Sequence, residues 1–128
     1  MWLFTDTGFI SAVQHREDPN LLVVRARDRV SLEPIANKLE VEITSNPISD
    51  YPYRVIVEKK DIAEWTYAQV MDISYGNFKD QVAVTRGKKF ATVLSGVWGR
   101  MLDAEDAEAH EMRRQYDSRG GVWGLSRA

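Results

Sequence analysis

Apolar runs flanked by turn residues fill the opening segment, and helical spacing enters from Leu32 onward. Trp2 to Phe4 is a short apolar start. Thr5-Asp6-Thr7-Gly8 follows as turn chemistry, with Gly8 free to take conformations closed to other residues. Phe9 to His15 reads as a strand. Glu17-Asp18-Pro19-Asn20 is a second turn, and Leu21 to Arg27 returns as the partner strand of a hairpin. Successive side chains point to opposite faces of a strand. Leu22, Val24 and Ala26 therefore share one face. Leu21, Val23, Arg25 and Arg27 share the other, which turns from apolar to basic along its length.

Helical spacing first appears at Leu32, Ile35, Ala36 and Leu39, with Ser31 as the expected N-cap and Pro34 in the first turn, where its missing N–H does no harm. Val41 to Thr44 is a short strand. Ser45 to Pro52 is a loop, because Asn46-Pro47 and Tyr51-Pro52 disfavour helix before each proline. Tyr53 to Glu58, with Val55, Ile56 and Val57 together, is the clearest strand. Asp61 and Glu64 have capping-box spacing for a helix running to about Ile73. Asn77 caps a short helix carrying Phe78 and Val82 on one face. Arg86 to Met112 reads as the longest helix. Its stripe of Phe90, Val93, Leu94, Val97, Trp98, Met101 and Leu102 predicts a core face with Phe90 and Trp98 buried.

This order predicts an α+β fold: a mostly antiparallel sheet of about four strands, with helices on one face and a helical C-terminal part. The strand-helix-strand-strand-helix run points to a split βαβ arrangement. The expected organisation is a single domain over residues 1–117, with 102–117 as a helical extension. Residues 118–128 form a Gly-rich, flexible tail.

Composition narrows the chemistry. With no cysteine, thiol catalysis, disulfides and metal–thiolate sites are excluded, and a reducing, cytoplasmic location is expected. No apolar run approaches the roughly 20 residues that span a bilayer, so no membrane partner is expected. The net charge of −2 gives no global attraction to nucleic acid. Local charge is uneven. Lys79, Arg86, Lys88, Lys89 and Arg100 precede an acidic stretch with Asp103, Glu105, Asp106, Glu108, Glu111 and Asp117, which reads as solvated helix surface.

No phosphate-binding fingerprint, metal-ligand spacing or catalytic constellation is present. Arg86-Gly87-Lys88-Lys89 holds a single glycine and reads as a helix start. His15 falls at a strand end, and His110 near Asp106 in the acidic helix; both read as structural or solvated, so no metal and no cofactor are expected. The sharpest site is basic. If the strands carrying them are neighbours, Arg25, Arg27 and Arg54, with Arg29 close in sequence, would share a sheet face near Tyr51, Tyr53 or Trp2. Basic residues with aromatics on an open sheet hold single-stranded nucleic acid in several modules, whereas strand charges also guard sheet edges. Gly-Val-Trp-Gly occurs at 96–99 and 121–124. The second copy places Trp123, with Leu125, in the tail as an anchor for a partner or a second subunit.

The segments MWLFTDTGFISAVQHREDPNLLVVRARDR, YPYRVIVEKKDIAEW, ISYGNFKD and VLSGVWGRM resemble a family of small proteins of unknown function from bacteria, notably high-GC Gram-positive ones, and their phages. The resemblance spans roughly residues 1 to 102. It implies a phage or prophage source and carries over no activity, cofactor or binding site. The expectation is a non-enzymatic accessory protein that binds a protein partner. The alternative is a nucleic-acid-binding module using the Arg25, Arg27, Arg29 and Arg54 face. An enzyme built from dispersed carboxylates, tyrosines and arginines comes third. Self-association through the C-terminal helix or the tail is the expected route to any oligomer.

Overall fold

The second turn is closed by its own side chains. His15 Nδ1 accepts from the Glu17 and Asp18 amides at 3.2 and 3.3 Å, and Asp18 Oδ1 accepts from the Asn20 amide at 2.9 Å. His15 is thus a turn-forming residue. In the computed structural model, which describes residues 1–120, the strands are β1 (Trp2–Thr5), β2 (Gly8–Gln14), β3 (Leu21–Ala26), β4 (Thr44–Ser45) and β5 (Tyr53–Glu58). They form one sheet in the order β1-β2-β3-β5-β4, antiparallel at every pairing. The fold is α+β as predicted, and the described residues supply five strands to the expected sheet of about four. The short apolar start pairs along its whole length with β2, and among the described residues no parallel βαβ crossover occurs.

Two helices accompany the sheet in the first compact unit, Met1–Ser74: α1 (Glu33–Leu39) and α2 (Lys59–Met71). Ile10, Ala12, Val24, Ala26, Val55 and Val57 point from the strands into one core with Leu32, Ile35 and Ala36 around α1, and with Ile62 and Trp65 of α2. Both helices therefore cover the same face of the sheet. Ser31 does not cap α1. Leu32 occupies the N-cap position, and the buried Ser31 hydroxyl instead donates to Asp28 and accepts from the Phe9 amide at 3.2 Å. A bond across the fold has taken the place of a local one. Likewise α2 starts directly off β5 with Glu58 at the N-cap, so Asp61 lies in its first turn without capping.

A second unit begins at Tyr75. It contains α3 (Phe78–Arg86), α4 (Lys88–Arg100), a 3-10 turn (Met101–Ala104) and α5 (Ala107–Ser118). Asn77 caps α3 as predicted, accepting from the Asp80 amide at 3.0 Å. The single helix expected over 86–112 is broken twice. Gly87, at φ 91°, separates α3 from α4, in a region of backbone space that favours glycine. Asp106 then takes an extended conformation and caps α5 through the Ala109 amide at 2.8 Å. The apolar stripe is not buried as predicted. Ala91 and Leu94 are buried, but Trp98 is 60% exposed and Val93, Val97 and Met101 are exposed with it. Phe90 is half-buried, under the Arg86 guanidinium at 4.1 Å. Trp98→Ala is accordingly expected to cost only about 0.5–1 kcal/mol, the scale of its contact with Lys79. Chemical denaturation measures this, and a loss near 3 kcal/mol would restore the buried reading.

Within the acidic helix Arg114 pairs with Glu111, while Arg113 reaches back to Glu105 ahead of the helix, next to Arg100 with Asp103 at 3.3 Å. It extends through Ser118, one residue into the predicted tail. Trp123 and Leu125 lie outside the described residues. Among the described residues no helix is long and apolar enough to cross a membrane.

Candidate sheet-face binding site

The face of the sheet turned away from α1 and α2 is built by strand parity. The antiparallel register sets Trp2 opposite Ser11, Ser11 opposite Arg25, Arg25 opposite Arg54, and Arg54 opposite Thr44. Five strands thus contribute one row, and Arg25 and Arg54 are direct cross-strand neighbours, the arrangement foreseen if β3 and β5 were adjacent. Two residues along each strand, Val13, Val23 and Ile56 form a parallel row. Val13 is exposed, and Ile56 is 52% exposed. A basic row and an apolar row therefore lie side by side, about 7 Å apart at the strand repeat.

The loop between β4 and β5 fixes the arginines. It returns Tyr51 beneath the sheet face, where the Arg25 and Arg27 guanidiniums lie 4.5 and 5.0 Å from the ring centroid. A guanidinium over an aromatic face is attracted by the ring quadrupole. Arg27 also donates to the Asp50 carbonyl at 3.2 Å. Arg25 donates to Ser11 Oγ and Arg54 to Ser49 Oγ, both at 2.9 Å. Ser11 and Ser49 are positioning residues that composition and spacing did not single out, since only the strand register brings them to the arginines. Arg29 is not part of the cluster. It lies in the turn before α1, where its carbonyl accepts from the Leu32 and Glu33 amides.

Aromatic rings continue the site toward β1. Phe9 lies 6.5 Å from Tyr51, stacks on Phe4 at 4.5 Å, and meets Trp2 edge-on at 5.6 Å. Trp2 is 67% exposed, whereas Tyr51 is only 5% exposed under its two guanidiniums. Among the described residues, no carboxylate forms an ion pair with Arg25, Arg27 or Arg54. The edge-guarding role would leave these side chains reaching into water. Here they are held in place by two serines, a carbonyl and a tyrosine.

Other candidate chemistry is sparse. His110 lines a shallow surface depression on α5 with Glu111, Arg113, Arg114 and Asp117. Among the described residues, no group of three or more His, Asp or Glu is placed to hold a metal ion.

No family model matches the chain, no curated protein matches it, and no solved structure matches it.

Proposed function

We propose that this is a non-catalytic accessory protein that binds a protein partner on the open face of its sheet. The observation that carries the reading is the Val13–Val23–Ile56 row, exposed at Val13 and Ile56 and half-buried at Val23, beside the Arg25–Arg54 row on the face that α1 and α2 leave free. Apolar side chains mixed with arginine and aromatic residues, and few other charges, are the make-up of protein interfaces. The alternative of single-stranded nucleic acid is less well supported. Bases need free rings to stack upon. Tyr51 is covered by guanidiniums and Phe4 stacks on Phe9, so among the described residues of this face Trp2 alone offers an open ring face. The lack of cysteine supports action in the cytoplasm. The resemblance of residues 1–102 to phage-borne proteins supports an accessory role toward a host or phage component.

A photo-reactive benzoylphenylalanine at position 56 tests the reading, with the same group at Glu33 on exposed α1 surface as control. In cells that make the protein, position 56 is expected to give a nuclease-resistant, protease-sensitive adduct and position 33 none. A nuclease-sensitive adduct, or none at position 56, overturns the proposal.

A further inference from the structure

We infer that Arg25 and Arg54 form a carboxylate clamp, and that the segment seated on the sheet face is an acidic, extended stretch of a partner protein. This rests on the sheet-face reading above and names the chemistry of its occupant. Like charges directly opposite on neighbouring strands destabilise a sheet, and an opposite charge beside them relieves it. Here the register sets the two arginines opposite each other at the backbone, with no ion pair to either among the described residues. Both are also short of acceptors. A guanidinium carries five N–H donors. Each of these two makes one side-chain hydrogen bond, to Ser11 or Ser49, and the Nε of each is buried with no acceptor.

The surroundings do not supply the missing charge, but they do fix the geometry. Ser11, Ser49 and Tyr51 hold the planar groups in place before any ligand arrives, so little side-chain freedom remains to be lost on binding. A preset pair of guanidiniums suits carboxylate or phosphate oxygens. The neighbouring row decides between them. Val13, Val23 and Ile56 offer aliphatic surface and no ring for a base. The occupant therefore brings carboxylates and apolar side chains in adjacent rows. Their separation of about 7 Å is the distance between residues i and i+2 of an extended segment.

The probe is a peptide of three Glu-Ser-Val-Ser repeats, compared with its Gln-Ser-Val-Ser counterpart and a twelve-nucleotide oligothymidine, each titrated against the full chain. Arginine Nε–H resonances report the clamp directly by NMR. The acidic peptide is expected to shift those of Arg25 and Arg54 together and saturably, with the glutamine peptide at least tenfold weaker. Arg54→Lys keeps the charge but loses the fork, and should weaken the acidic peptide about tenfold and the glutamine peptide by much less. Its backbone amide spectrum checks the fold, and Arg25→Lys provides a second variant. Ile56→Ser should weaken both peptides. Equal binding of the two peptides, or no shift at millimolar acidic peptide, overturns the clamp while a protein adduct at position 56 still stands. Tighter binding of oligothymidine overturns it and assigns the face to nucleic acid.

Discussion

Trp65→Ala is expected to destabilise the first unit by roughly 3–5 kcal/mol, the range for removing a large buried aromatic side chain. Trp65 lies on α2 and is 6% exposed, within the cluster that joins both helices to β2, β3 and β5. Removing the indole takes away its transfer free energy and leaves a cavity that a sheet and two helices cannot close. A domain of this size is stable by about 5–15 kcal/mol in total, so the variant should lose a large share. Urea denaturation followed by circular dichroism measures the loss, with Trp98→Ala as the internal comparison. A Trp65→Ala midpoint equal to that of Trp98→Ala would show that the helix does not anchor the core.

The contrast between these two tryptophans shows what the sequence holds and what it lacks. Both lie on helices foreseen in the sequence. Only the stripe from Phe90 to Leu102 marks an apolar face, yet Trp98 is exposed and Trp65 is buried. Burial depends on which elements meet, and local spacing carries no record of that. Features decided by near neighbours were legible: the parity of Leu21 to Arg27, the Glu17–Asn20 turn, and the Asn77 cap. Ser31 was misread because its hydroxyl serves Phe9 and Asp28 rather than its own helix. The breaks at Gly87 and Asp106 carried local signals, a glycine and a capping aspartate, that the continuous apolar stripe overrode.

The candidate site divides the same way. That Arg25 and Arg27 share a face follows from alternation alone. That Arg54 stands opposite Arg25 requires β5 to pair with β3 across an intervening helix and loop, a long-range choice. The roles of Ser11, Ser49 and Tyr51 follow from that choice and from the path of the loop. Alternation could name the arginines. It could not show that they lack an ion-pair partner.

Gly8→Ala is expected to be the other severe variant, at about 3 kcal/mol, the upper part of the usual range for overpacking a filled core. A Cβ on Gly8 would fall 2.2 Å from Ser31 Oγ, 2.6 Å from its Cβ and 2.8 Å from its Cα. The hydroxyl cannot simply turn aside, because it accepts from the Phe9 amide and donates to Asp28. The Cα cannot retreat without displacing Leu32, the fully buried residue that follows it. Either response also disturbs Phe9, whose ring links Trp2 and Phe4 to Tyr51 beneath the arginines. The loss should therefore reach the binding face as well as the core. Ser31→Gly removes two of the three clashing atoms and leaves the backbone Cα, so the double variant should recover only part of the stability lost. A double-mutant cycle by urea denaturation isolates that coupling. Gly8→Ala within about 0.5 kcal/mol of the parent chain, the range of an ordinary surface change, would mean that β2 and the segment before α1 are not in close contact at Ser31.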